Sequence, residues 1–188
     1  MRYSVAETAQ KHEKILDEAT RLFRERGFYG VSVSEIMKAA DLTQGSFYNH
    51  FSSKEALMAR TMEHSVLRLE QLFDTIPPTA KGKLDYLSWH LSVDHRDNHG
   101  SGCPISALAA ETARELAVQP SMTQFVKAYF KKISEHFPWP TRRHARRDAI
   151  LTTAALVGAL LLARAVDDAA LSEEIMSLVS DDLLARFC

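Results

Sequence analysis

The residues Thr43-Gln44-Gly45-Ser46-Phe47-Tyr48-Asn49-His50-Phe51 concentrate amide, hydroxyl, phenol and imidazole groups on one short segment. They form no nucleophile–base pair, but nearly all can donate or accept hydrogen bonds. On a helix, Phe47 and Phe51 lie one turn apart and face inward, which leaves Gln44, Ser46, Tyr48, Asn49 and His50 facing out. A short helix with such an outer face suits a DNA groove better than a protein core. The amide of Gln44 has the geometry to pair in bidentate fashion with adenine. The ring of Tyr48 can lie against a thymine methyl or a sugar, although half-buried packing is the plainer role for both Tyr48 and His50. Gly45 costs about 1 kcal/mol relative to alanine inside a helix, which makes sense where another surface must come close. The unpaired N–H groups at the start of the same helix suit a phosphate.

Elsewhere reactive side chains are sparse. Cys103 follows Gly100-Ser101-Gly102 and precedes Pro104, a favoured first helical residue, so it stands at a helix N-cap. A thiol there has a lowered pKa and gains nucleophilicity, which would let it sense an oxidant or an electrophile. The bland reading is a small buried packing residue. His95, His99 and Cys103 recur every four residues, but Gly100 and Gly102 break the helix that would align them on a metal. Solvated loop histidines and no metal are therefore expected. No Ser/His/Asp constellation, phosphate-binding loop or dinucleotide fingerprint occurs, so neither an enzyme nor a cofactor is expected.

The chain that must position these groups has 188 residues, 46% hydrophobic and 25% charged, the proportions of a folded globular protein. Its formal net charge of −1 argues against a wholly electrostatic nucleic-acid binder. Residues 1–60 hold nine Lys/Arg against eight Asp/Glu, so charge alone does not point to DNA. Two widely separated cysteines, Cys103 and Cys188, make no disulfide framework. The first residues lack the apolar core of a signal peptide, and a reducing, cytoplasmic setting is expected.

Helical periodicity runs through the chain, without strand-like alternation. A first helix from about Glu7 to Arg26 carries Ile15, Leu16, Ala19, Leu22 and Phe23 on one stripe and stops at Gly27. Ser32 with Glu35 forms a capping box for a helix that turns Val33, Ile36, Met37 and Ala40 inward. Asp41-Leu42 makes the turn, and Thr43 caps the next helix. Ser52 with Glu55 forms a second box and opens a long helix to about Ile76, where Met58, Met62, Val66, Leu69 and Phe73 repeat at helical spacing. Further helices are predicted near 82–98, 104–118, 121–137, 143–166 and 171–186, about nine in all. The run Ala149–Ala163 is uncharged for 15 residues, short of the roughly 20 that span a bilayer. A buried helix and no membrane partner are expected.

The N-terminal segment resembles the DNA-binding domain of the TetR/AcrR family of one-component repressors. The resemblance rests on Ile15, Leu22-Phe23, Gly27-Phe28, Val31-Ser32-Val33, Ile36, Ala39-Ala40, Leu42-Thr43, Gly45-Ser46-Phe47-Tyr48, His50-Phe51 and Ser53-Lys54-Glu55-Ala56-Leu57. It covers about the first 60 residues densely, and the remainder in architecture only. It implies an all-α fold, with an N-terminal three-helix helix-turn-helix DNA-binding domain (1–52) and a C-terminal helical effector-binding and dimerisation domain (53–188). It also implies that Thr43, Gln44, Gly45 and Ser46 sit nearest base edges, that Tyr48 and His50 clasp phosphates, and that Lys54 reaches another. Ser32 and Asn49 complete the candidate DNA-binding set. One departure stands out: Thr43–Ser53 carries no cation unless His50 is protonated. Modest affinity per half-site, reliance on a dimer and added phosphate contacts from Arg2, Lys11 and Lys14 are the expectations.

In the C-terminal part, Ile150, Ala154, Val157, Gly158 and Leu161 share one side of a helix, and Ile175, Leu178, Val179 and Leu183 one stripe of the last. The resemblance implies that these two helices pair with a second copy, giving a homodimer on a near-palindromic double-stranded operator. It further implies an effector pocket between the middle helices, for which Met62, Val66, Trp89, His90, Cys103, Phe125 and Tyr129 are candidates, and a small apolar, aromatic or electrophilic effector. In the family's usual mechanism such an effector swings the long helix 53–76 and changes the separation of the reading heads. A ligand-responsive repressor is the expected function. The rival is an all-α small-molecule-binding or enzyme module whose helix-turn-helix is structural.

Overall fold

The computed structural model describes residues 5–187, so Arg2 and Cys188 lie outside the described residues. Among these the chain is built of nine α-helices and three short 3₁₀ turns, with no strand. The helices are α1 (Val5–Arg26), α2 (Val33–Ala39), α3 (Lys54–Asp74), α4 (Ala80–His90), α5 (Val93–Asp97), α6 (Pro104–Thr112), α7 (Gln119–His136), α8 (Ala145–Ala165) and α9 (Ala169–Phe187).

Local chemistry sets the first boundaries. Helix α1 ends with Arg24 and Arg26 in its last turn, at Gly27, whose φ of 75° is left-handed. The Ser32 box forms as expected: Ser32 Oγ accepts from the Glu35 N–H at 3.2 Å, and Glu35 accepts from the Ser32 N–H at 2.8 Å. Helix α2 stops in a Schellman arrangement. The Leu42 N–H reaches Met37 O at 2.8 Å, the Asp41 N–H reaches Lys38 O at 3.1 Å, and Asp41 takes φ 57°. Lys14 of α1 pairs with the Asp41 carboxylate at 2.6 Å, tying that turn to the first helix.

Several predicted elements differ. The segment after the turn is a 3₁₀ helix, Gln44–Asn49, and Thr43 gives it no side-chain cap. Instead the Ser46 hydroxyl donates to Thr43 O at 2.7 Å, and six residues including glycine, serine and asparagine are a poor α-helical sequence. The cap of α3 is Ser53 rather than Ser52, accepting from the Ala56 N–H at 3.1 Å. The predicted helix 82–98 divides because the Ser92 hydroxyl accepts the His95 N–H and starts a new helix. The predicted helix 104–118 ends at Thr112, followed by turns that bury Val118.

One continuous core runs from the α1 stripe and Phe28, Ile36, Met37, Phe47 and Phe51 through Leu57, Met58 and Met62 to Phe73, Phe125 and Leu156. Helix α3 lies along α7 and against α1, while α8 packs on α7 and α9. The apolar stretch Arg142–Ala165 is long enough to cross a membrane by composition, and here it supplies Ala149, Leu156, Leu160 and Ala163 to the core.

Helix α6 ends against the α1–α2 turn. The Phe28 N–H donates to the Glu111 carboxylate at 2.7 Å, and the Tyr29 hydroxyl bonds Glu115. A Cβ at Gly27 would stand 2.1 Å from Glu111 Oε1. Gly27→Ala is therefore expected to destabilise by at least about 1–2 kcal/mol, from the left-handed backbone alone. The check is a urea titration in which the midpoint falls while the slope stays unchanged.

Candidate functional site

The 3₁₀ segment presents a polar face because Phe47 and Phe51 hold its other side in the core, their rings 5.7 Å apart. Thr43, Gln44, Gly45, Tyr48 and Asn49 are exposed, and nothing lies within 4 Å of a Cβ built on Gly45. Tyr48 is 74% exposed, so the packing role considered for it does not hold. Two candidates are already engaged: Ser46 through Thr43 O, and Ser32, whose hydroxyl donates to Glu35 at 2.7 Å. His50 is half-buried, 5.9 Å from the His12 ring. Burial first, then the His12 and Lys11 charges, lower its pKa below the usual imidazole value. Near neutral pH His50 is thus uncharged, and Thr43–Ser53 holds no positive charge. Lys54 donates to Val31 O at 2.5 Å with its ammonium 5.7 Å from the Tyr29 ring centre, at the edge of this face.

A second feature is a partly open cavity of about 540 Å³ lined by α1, α3, α4, α7 and the segment leading into α6. Trp89, His90, Cys103, Phe125 and Tyr129 line it. Met62 and Val66 do not: Met62 is fully buried in the core and Val66 packs beside it. The cavity-facing side of α3 is instead His64, Ser65, Arg68, Leu69 and Leu72, roughly two residues round the helix. Missing from the sequence reading were Asp17, Thr20, Arg21 and Arg24 of α1. Their helical spacing was a visible signal, but a polar stripe opposite an apolar one reads as solvent-facing.

The cavity wall is polar as well as aromatic. His90 is 1% exposed and neither ring nitrogen has a hydrogen-bond partner. Burial, with smaller contributions from His95 and Arg164, lowers its pKa to about 3. His95 is fully engaged, donating through Nδ1 to His90 O at 2.7 Å and accepting the Cys103 N–H on Nε2 at 3.1 Å. Those bonds, rather than a metal, account for the spacing of His95 and Cys103. The Tyr86 and Tyr129 hydroxyls bond each other, and burial raises both phenol pKa values.

Residues 15–61 match the family described as bacterial regulatory proteins, tetR family. The chain is 29% identical over 105 residues to the HTH-type transcriptional repressor DhaR of Mycobacterium sp. (strain GP1), covering 53% of this chain and 50% of DhaR. It is 31% identical over 104 residues to the HTH-type transcriptional repressor NemR of Escherichia coli (strain K12), covering 53% and 52%. The chain thus spans about half the length of these curated relatives. The crystal structure of reduced E. coli NemR superposes with a TM-score of 0.77 at 22% identity, over 95% of this chain and 97% of that one. A TetR-family regulator from Cytophaga hutchinsonii gives 0.75 at 20% identity, over 97% of each. The match to the tetR family is carried by residues 15–61. At those identities the superpositions establish the shared all-α fold.

The last two helices of this chain leave an apolar face uncovered. Leu151, Ala154, Leu161 and Leu162 of α8 and Leu171 and Leu178 of α9 are exposed, with Val157 and Gly158 half-buried among them. Nothing lies within 4 Å of a Cβ on Gly158. Leu183 is the exception in the predicted set: it is 4% exposed and belongs to the core of its own chain. Ile150, Ile175 and Val179 are half-buried, the last two packed on that core.

The lowered Cys103 pKa expected from its N-cap position is corrected. Cys103 does precede Pro104 at the start of α6, with N–H groups of Ile105 and Ser106 directed at it. Burial outweighs them and raises the thiol pKa. In a Cys188→Ser background, Cys103 should react with a disulfide reagent at pH 7.5 at least about tenfold more slowly than free cysteine, and at the normal rate once urea unfolds the chain.

His90 sets an acid limit. Its folded pKa of about 3 lies below the ordinary 6.5, so between those values the unfolded chain holds one more proton. Stability from this group is present above pH 6.5 and is lost as pH falls towards 3, at up to about 1.4 kcal/mol per pH unit. His90→Phe should flatten the fall in stability between pH 6.5 and 4.5, measured by urea unfolding at each pH.

Proposed function

We propose that this protein is a cytoplasmic, homodimeric repressor that binds a near-palindromic operator and releases it when a small molecule occupies the cavity. The observation that carries the reading is the exposed hydrogen-bonding face of Gln44–Asn49, fixed to the core by Phe47 and Phe51. DhaR and NemR are named transcriptional repressors, which supports the same direction of control. Residues 1–52 form the reading unit and 53–188 the sensing and dimerising one.

Gln44, Thr43 and Gly45 lie nearest the bases, Tyr48 and Asn49 reach bases or sugars, and Lys54 with the neutral His50 contacts phosphate. Ser32 and Ser46 contribute by shaping the backbone, since their hydroxyls are already engaged. Ala154, Val157, Gly158, Leu161 and Leu178 meet a second copy, with Ile150, Ile175 and Val179 at the margin. Reading heads on a two-fold dimer must stand about 34–36 Å apart to enter successive major grooves. An effector shifts that equilibrium only by its difference in affinity for the two spacings.

The test is a gel shift of the full chain on DNA upstream of its own gene. Salt-sensitive binding is expected, and Gln44→Ala or Tyr48→Ala should weaken it by roughly tenfold or more while the helical circular dichroism stays unchanged. Absence of salt-sensitive binding at every site tested overturns the reading and leaves the all-α small-molecule-binding module.

A further inference from the structure

The cavity wall carries three guanidinium groups, and they are not equivalent. Arg21 is engaged by Glu18 at 2.7 Å and Glu25 at 2.9 Å, and Arg68 by Asp17. Half-buried Arg24 forms no ion pair among the described residues. It donates only to backbone carbonyls, from Nε to Thr20 O at 3.2 Å and from Nη1 to Gly102 O at 3.0 Å. Its neighbour Glu25 spends both carboxylate oxygens on Arg21. One turn back on α1, Thr20 is 4% exposed and its Oγ1 has no partner. A guanidinium partly withdrawn from water beside an unsatisfied hydroxyl is costly unless an acceptor completes it.

The remaining polar groups fit a neutral second substituent. The uncharged His90 ring offers one donor and one acceptor, both unpartnered. The Tyr86–Tyr129 pair uses one of its two hydroxyl protons internally, leaving the other free to donate. Phe125, Trp89 and the two tyrosine rings give the same cavity its aromatic surface.

We propose that the cavity takes an aromatic carboxylate, its carboxylate on Arg24 and Thr20, its ring against the aromatic wall and a ring hydroxyl at His90. This rests on reading the cavity as the effector site, and it specifies the sign of the effector's charge. A carboxylate accepts charge-assisted hydrogen bonds from the half-buried Arg24, where they are stronger than in open water. A neutral isostere gains less, and a cation is repelled by Arg24. Because Arg24 and Thr20 belong to α1, the ligand would bridge the helix that builds the reading unit to α3, α4 and α7.

The test is calorimetric titration of the full chain, without DNA, with 4-hydroxycinnamate and 2-naphthoate, each against its neutral amide. The carboxylates should bind at least about tenfold more tightly than the amides. Arg24→Gln should weaken the acids at least about tenfold and the amides less, so that the preference is lost, and Thr20→Val should reduce the preference in part. Amides binding as tightly as the acids, no binding of either acid, or a preference that survives Arg24→Gln overturns the proposal. The wild-type comparison decides even if the variant does not fold. Failure here with operator binding intact leaves the repressor reading standing, whereas carboxylate binding without any DNA binding removes only the latter.

Discussion

Helix α1 cannot turn without losing two structures at once, and most of the molecule depends on that. Its 3.6-residue period sets Ile15, Leu16, Ala19, Leu22 and Phe23 into the core that supports α2 and the 3₁₀ segment. The same period sets Asp17, Thr20, Arg21 and Arg24 into the cavity wall. One residue of rotation, about 100°, would bury charge in that core. The Lys14–Asp41 pair, the Asp17 contacts to His64 and Arg68 on α3, and the Arg24–Gly102 bond hold the helix at this angle from three directions. The core beneath the 3₁₀ segment and the wall of the cavity are therefore built on different sides of one helix.

Electrostatics separates the two faces. Each phosphate neutralised by a fixed cation adds to salt-dependent affinity, and the segment Thr43–Ser53 contributes none, its single histidine being held neutral by burial. On the proposed function, discrimination then rests on neutral hydrogen bonding, and the electrostatic part falls to Lys54 and to the doubling of contacts in a dimer. The cavity has the reverse character: cations are abundant, and one of them lacks a carboxylate. Charge is scarce where DNA would be met and in surplus where a small molecule would be.

Much of the N-terminal fold was legible because short-range chemistry dictates it. The Ser32–Glu35 box, the Gly27 stop and the inward pair Phe47 and Phe51 depend on neighbours within four residues, and all stand where the sequence pattern puts them. Readings failed where a competing local bond or a distant neighbour decided. The Ser92 hydroxyl cut one predicted helix in two, and Ser53 took the cap expected of Ser52. Met62 and Val66 follow the apolar stripe of α3, which faces the core, whereas the cavity meets the flank holding His64, Ser65 and Arg68. For Cys103 the sequence shows the helix start but not the depth of burial, and burial governs the thiol. Arg24 could not be singled out, because its lack of a carboxylate is a fact about α6 and the loop before it.

The shortest of the long-range connections is the one with the least freedom. Helix α6 begins at Pro104 in the cavity wall, runs nine residues to Thr112, and in its last turn carries Glu111, which accepts the Phe28 N–H at the α1–α2 turn. A helix of that length is about 13 Å long, and its ladder of hydrogen bonds resists both stretching and compression. It works as a gauge block between two surfaces: the spacing from cavity to turn is set by helical pitch and the reach of one glutamate side chain. Only the Glu111 side chain, at one end, can take up a mismatch before the bond breaks or the helix unwinds.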